Sequence, residues 1–157
     1  LAREFQRGAE DAGHEVFRFD AAFHDVHPCI GCDRCRREGV CTFAADDMKR
    51  LNPHLLAAEA VVFVSPIYYF DLQLKAVIDR FYANDDALHG GKRALLLTAM
   101  ADEDLAAAEG VDATFRSICQ YLQWENAGIL NAANASTAED LTEEDLRRAY
   151  DLGKDLK

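Results

Sequence analysis

Two short apolar runs, Ala60–Val64 and Ala94–Ala101, each lie between stretches of helical spacing, and this alternation restricts the fold more than any other feature of the chain. Apolar runs of about four to eight residues read as strands buried on both faces, and strands separated by helices of about 10 to 15 residues become parallel neighbours. The expectation is an α/β layered fold, a parallel sheet with helices on both faces.

The remaining elements follow from periodicity. Leu1, Phe5, Ala9 and Ala12 predict an amphipathic helix stopped at Gly13, and His14 to Phe19 predicts a strand. Residues 20–43 show no clear period. Met48, Leu51, Leu55 and Leu56 mark a helix despite Pro53, and Val61 to Val64 a strand that Pro66 should end. Leu74, Val77, Ile78, Phe81 and Tyr82 keep the i, i+3, i+4 rule of a helix on a sheet, with a turn at His89-Gly90-Gly91 before a strand at Arg93 to Thr98. Val111, Phe115, Ile118, Cys119 and Leu122 give the next helix, Ala127 to Ala132 the last strand, and Thr142 with Asp145 caps a final helix. No repeat or linker divides residues 1–157, so one domain is expected.

In parallel sheets ligands lie beyond the carboxyl ends of the strands, which directs attention to two loops. Ser65-Pro66-Ile67-Tyr68-Tyr69-Phe70 places three consecutive aromatics at such an edge, where a flat conjugated ring could be stacked or where they could cap the core. Thr98-Ala99-Met100-Ala101-Asp102 has small residues that let backbone approach a ligand, though an ordinary connection would read the same.

Four of the five cysteines, Cys29, Cys32, Cys35 and Cys41, form a C-x2-C-x2-C-x5-C run, while Cys119 lies on a buried helical stripe. Three thiolates at intervals of three can wrap an inorganic cluster that a fourth closes. Zinc fits this spacing less well, although His24 and His27 are near, and metal-free thiols stay open as a third reading. Arg34, Arg36 and Arg37 would offset thiolate charge or form a solvated patch. Lys and Arg number 17 against 28 Asp and Glu, a net charge of −11, the wrong sign for neutralising phosphates, so nucleic acid is not an expected partner. Neither apolar run approaches the ~20 residues of a membrane span. Clustered cysteines beside a real core, with no basic and apolar leader, suit the cytoplasm. Residue 1 is Leu rather than Met, so the natural start is expected upstream. There is no G-x-G-x-x-G after a strand and no G-x4-G-K-[ST], and the lone histidines have no positioned partner, which suggests a bound cofactor carrying the chemistry.

The ordered set Gly13-His14-Glu15-Val16, Pro28-Cys29-Ile30-Gly31-Cys32-Asp33-Arg34-Cys35 to Cys41, Asp46-Asp47-Met48, Ser65-Pro66-Ile67-Tyr68, Leu74-Lys75-Ala76-Val77-Ile78-Asp79-Arg80 and Trp124-Glu125-Asn126-Ala127-Gly128 resembles the flavodoxin-like NADPH-dependent FMN reductase family, and within it the iron–sulfur flavoprotein branch. The resemblance implies a five-stranded, doubly wound, flavodoxin-like parallel sheet with helices on both faces in three layers, FMN at its carboxyl edge, hydride transfer from NAD(P)H, a quinone or other small-molecule electron acceptor, and a homodimer or homotetramer. It also implies that Pro66, Ile67, Tyr68, Tyr69 and Phe70 border the isoalloxazine, that Thr98, Ala99, Met100 and Ala101 form a second flavin loop, and that Cys29, Cys32, Cys35 and Cys41 in the loop 28–43 are candidate ligands of a 4Fe-4S cluster. Family members begin with a strand and a phosphate-binding loop, whereas this sequence begins within the first helix. The expectation is a flavodoxin-like domain lacking the first strand and binding FMN weakly, with electron transfer through a cluster as the alternative function.

Overall fold

The computed structural model describes residues 1–156. In chain order it has α1 (Ala2–Asp11), α2 (Arg34–Glu38), α3 (Met48–Ala57), β1 (Ala60–Tyr68), β2 (Asp71–Leu72), α4 (Lys75–Asp79), α5 (Asp85–Leu88), β3 (Arg93–Ala99), α6 (Glu109–Leu122), β4 (Glu125–Ala132) and α7 (Glu143–Lys154). Short 3₁₀ turns lie at Ala21–Phe23, Arg80–Asn84, Leu105–Ala108 and Ala138–Asp140. The sheet order is β2-β1-β3-β4. β1 runs parallel to β3 from Ala60 opposite Arg93 to Pro66 opposite Ala99, β3 runs parallel to β4, and β2 folds back antiparallel on the end of β1.

The period of two along β3 creates the three layers. Ala94 and Leu96 face one side, where Phe63, Phe81, Phe115, Leu122 and Trp124 join Met48 and Leu55 in one core. Leu95 and Leu97 face the other, against Phe5, Ala9, Leu130 and Ala149. Helices α1 and α7 cover that second face, and α3 to α6 cover the first. The expected layered α/β fold is therefore present. Among the described residues no helix is long and apolar enough to cross a membrane.

Helices α1 and α7 approach so closely that glycine is required on both. A Cβ at Gly8 would overlap the Tyr150 carbonyl oxygen and stand 2.9 Å from the carbonyl carbon, and one at Gly153 would overlap the Phe5 carbonyl oxygen and stand 2.9 Å from the Ala9 nitrogen. Tyr150 bridges the pair, donating to Asp11 Oδ2 at 2.8 Å beneath the Arg7 guanidinium. The capping box expected at the start of α7 is formed, with Asp145 N–H donating to Thr142 Oγ1 at 3.1 Å.

Several expectations need correction. Residues 14–19 form no strand, because a strand exists through its ladder and no backbone–backbone hydrogen bond reaches residues 15–19 among the described residues. β1 continues through Pro66 to Tyr68 instead of ending at the proline; paired on one side along this stretch, it tolerates a residue without an N–H. Nor is β1 buried on both faces: Val61, Val62 and Val64 are half-buried. The outer edge of β1 faces a cleft of about 970 Å³, lined by α1, residues 14–24 and α3. The helix expected over Leu74–Tyr82 is α4 followed by a 3₁₀ turn, with α5 beginning only after it. The break begins at Arg80, whose side chain turns inward to a buried carboxylate.

Candidate functional site

The carboxyl ends of β1 and β3 are neighbours, with Ser65 opposite Thr98 and Pro66 opposite Ala99. From there β1 enters a two-residue hairpin loop, Tyr69-Phe70, between the paired residues Tyr68 and Asp71. Both loop residues have left-handed φ, 50° for Tyr69 and 63° for Phe70. That sign at both central positions is what a two-residue hairpin demands, and asparagine followed by glycine satisfies it at least cost. Two aromatics there are strained, by about 1–2 kcal/mol each. Their rings repay little of this within the chain, since Tyr69 is 91% and Phe70 68% exposed. Ser65 braces the base: its Oγ donates to the Pro66 carbonyl at 2.9 Å and accepts from the Gln73 N–H at 3.1 Å.

The facing loop after β3 divides into a fixed part and an open part. Thr98 is fully buried and its Oγ1 donates to Asn131 Oδ1 at 2.6 Å, while Asn131 Nδ2 donates to Asp112 Oδ1 at 3.1 Å. Met100 is buried as well, its N–H donating to the Ala132 carbonyl at 2.9 Å and its carbonyl accepting from the Ala135 N–H at 2.7 Å. The side chains of Thr98 and Met100 therefore belong to the core. The N–H groups of Ala101, Asp102 and Glu103 find no acceptor among the described residues. This leaves three amide donors on exposed residues at one strand end, a supply that a planar ring with carbonyl acceptors could use.

Cys29, Cys32, Cys35 and Cys41 line one pocket with Phe43, Arg80 and Tyr82, and all are free thiols. The four-cysteine run has thus folded into one place. Its free space is about 20 Å³, roughly one water, and among the described residues no three Cys, His, Asp or Glu side chains are grouped as metal ligands are. The donor chemistry fits a thiolate-bound centre; the sulfurs would have to turn inward to hold one. Gly31 N–H donates to Cys29 Sγ at 3.4 Å, and Cys32 Sγ lies 3.2 Å from Thr42 Oγ1. The Thr42 hydroxyl, helped by the Arg34 amide and the Arg37 charge, holds the Cys32 thiol below its usual range. Arg34 and Arg36 are committed elsewhere, Arg34 to Glu38 at 2.8 Å and Arg36 to Asp85 at 3.0 Å and Asp86 at 2.9 Å.

The neck of this loop is clasped by groups that local pattern does not reveal. Arg80 pairs with Asp46, both side chains 3% exposed, and also donates to the carbonyls of His27 at 2.9 Å and Phe43 at 3.2 Å. Asp46 accepts in addition from the N–H groups of His27 at 3.2 Å and Met48 at 3.0 Å. The available signal was a charge beside Phe81 on an otherwise apolar stripe. Burial opposes ionisation of Asp46, but Arg80 and the two amides outweigh it and hold the carboxyl below its ordinary range. A carboxylate with a depressed folded value contributes stability above its unfolded pKa, near 4, and loses it as pH falls through the folded value. The melting-temperature gap between wild type and Asp46→Asn is therefore expected to be constant near neutrality and to close below about pH 4.

With this geometry in place, similarity to known proteins becomes informative. An iron-sulfur flavoprotein of Methanocaldococcus jannaschii is 32% identical over 82 residues, covering 51% of this chain and 42% of that protein. One from Archaeoglobus fulgidus is 33% identical over 85 residues, covering 52% of this chain and 38% of that protein. The matches thus span about two-fifths of the length of these curated relatives. In fold, the chain is similar to an NAD(P)H:quinone oxidoreductase from Methanothermobacter marburgensis, with 15% identity, coverage of 99% of this chain and 87% of that one, and a TM-score of 0.63. An azoreductase from Bacillus anthracis gives 16% identity, 97% and 88% coverage, and a TM-score of 0.61. Residues 1–128, from α1 through the cysteine loop, the aromatic hairpin and β3 into β4, match the family model described as NADPH-dependent FMN reductase, and the chain belongs to that family.

Proposed function

We propose that this chain is the flavin domain of an FMN-dependent NAD(P)H oxidoreductase that delivers electrons to a quinone or another small acceptor. The observation that carries the reading is the exposed, strained pair Tyr69-Phe70 at the carboxyl edge, on the strand neighbouring β3, whose following residues Ala101, Asp102 and Glu103 keep amides free of partners within the described residues. Pro66, Ile67 and Tyr68 would flank the ring beside this pair. The backbone at Ala99 and Ala101 would approach its pyrimidine end, while Thr98 and Met100 hold that loop in position. Bound there, FMN supplies a hydride acceptor that can release electrons again singly or in pairs. The protein's task is to position the ring, keep water from one face and leave the other open to the nicotinamide. A homodimer or homotetramer would cover the aromatic tip, and free thiols suit the cytoplasm. Anaerobic titration with FMN should quench flavin fluorescence, and the complex should oxidise NADPH or NADH in the presence of a quinone. FMN left unquenched, with no nicotinamide consumed, overturns the reading.

A second reading rests on the pocket shared by Cys29, Cys32, Cys35 and Cys41. If these thiolates hold an iron–sulfur cluster, as the names of the archaeal relatives say of those proteins, the cluster would let electrons leave one at a time. Iron and acid-labile sulfide in stoichiometric amounts after anaerobic reconstitution, lost in Cys35→Ser, would support it. Metal-free protein after reconstitution would remove it.

A further inference from the structure

The cysteine loop has only the five-residue α2 within it and no sheet pairing among the described residues, yet it is folded so that all four cysteines line one pocket. Loops of this kind commonly depend on the metal for their order. Here the two ends of the loop converge on a single side chain. Arg80 holds the His27 carbonyl at one end and the Phe43 carbonyl with Asp46 at the other, and its guanidinium lies 5.6 Å from the Phe43 ring centre. His27 stacks on Phe43 across the closed neck, ring centres 4.8 Å apart. The outer part of the loop docks on the same segment of chain, through Tyr82 Oη donating to Asp33 at 2.7 Å and Arg36 reaching Asp85 and Asp86. Arg80 Nε, one of three buried side-chain polar atoms without a partner among the described residues, belongs to a side chain that lines the pocket shared by the four cysteines.

A buried donor without a partner costs about 1–3 kcal/mol, and a buried ion pair is poor value as a stability device compared with apolar packing. Both features are explained if Arg80 serves the loop rather than the core. We propose that Arg80 is the positioning residue of the four-cysteine site, closing the loop before any metal or cluster enters and keeping its Nε–H in reserve for a thiolate of the bound centre. The second half rests on the cysteines being ligands; the first does not. Arg80 thereby adds a buried positive charge at the pocket to the exposed charges of Arg34 and Arg37, which already act on Cys32.

The test separates the loop from the fold and from the metal. The pair variant Asp46→Leu with Arg80→Met removes both buried charges together, which avoids stranding either one. In the metal-free protein, the wild-type loop should resist trypsin at Arg34, Arg36 and Arg37, and the pair variant should be cut about tenfold faster there at an unchanged urea midpoint. Anaerobic cobalt(II), read by its thiolate charge-transfer absorption, should bind the pair variant about 10- to 100-fold more weakly, the usual cost of losing an outer partner of a metal site. Arg80→Lys keeps the charge but loses the fork and Nε–H, should fall between the two, and carries the test if the pair variant does not fold. Equal cleavage and equal cobalt affinity in wild type and variants overturn the proposal. A wild type that takes up no cobalt while the variants are still cut faster upholds the positioning role and removes the ligand reading instead.

Discussion

Alanine at Gly153 is expected to destabilise the fold by about 2–3 kcal/mol, and alanine at Gly8 by a similar amount, read as a lower urea midpoint and a melting temperature lower by several degrees. Two effects compete at each position. Alanine favours a helix over glycine by about 1 kcal/mol, largely by restricting the unfolded chain. Against this, the new methyl would overlap a backbone carbonyl of the facing helix, Tyr150 for Gly8 and Phe5 for Gly153, and backbone cannot rotate aside as a side chain can. The helices must separate, which opens the layer in which Phe5, Ala9 and Ala149 are buried against Leu95 and Leu97. Overpacking therefore wins. Because both substitutions push on the same separation, the double variant should cost less than the sum. Unchanged melting in both single variants would show that α1 and α7 are not held this close.

The hairpin should respond in the opposite direction. Replacing Tyr69 by Asn and Phe70 by Gly gives the two-residue loop the residues its φ signs favour, and is expected to raise stability by about 2 kcal/mol. The same change removes two exposed rings. If both stack on the flavin, at about 1–3 kcal/mol for each aromatic contact with a planar base, affinity for FMN should fall by about thirtyfold or more. Urea unfolding and fluorescence titration on one preparation check both. A variant that gains stability and keeps its FMN affinity would show that the strain serves something else; one that loses both would show that the aromatics pack in the fold after all.

The sheet and its layers were legible because Leu95 and Leu97 alternate with Ala94 and Leu96, and because helix periods interrupt the strands; these are local patterns of two and 3.6 residues. The cap at Thr142 was equally local. Residues 14–19 misled because alternation measures fitness for a ladder and not the presence of a partner. Pro66 misled because its effect depends on how many neighbours β1 has. Within the site, the motif positions were readable but their exposure was not: Thr98 and Met100 sit in a loop of small residues, yet contacts to Asn131, Ala132 and Ala135 draw them into the core. The pair Asp46–Arg80 joins residues 34 apart in sequence, beyond any periodic reading, and its two side chains are buried together at the neck of the cysteine loop. The left-handed φ of Tyr69 and Phe70 was hidden for another reason, since neither residue type favours it.

The open flank of β1 has a further consequence for how the polypeptide behaves at high concentration. From Ala60 to Pro66 that flank offers a row of unmatched backbone groups, and no charged side chain interrupts Val61, Val62, Phe63 and Val64. Such a row is a template for adding strands from other molecules, and among the described residues Glu59 before it and Pro66 near its end discourage growth. Protein with this flank uncovered should form thioflavin-positive aggregates with a concentration-dependent lag, and a lysine at Val62, in the middle of the row, should lengthen that lag.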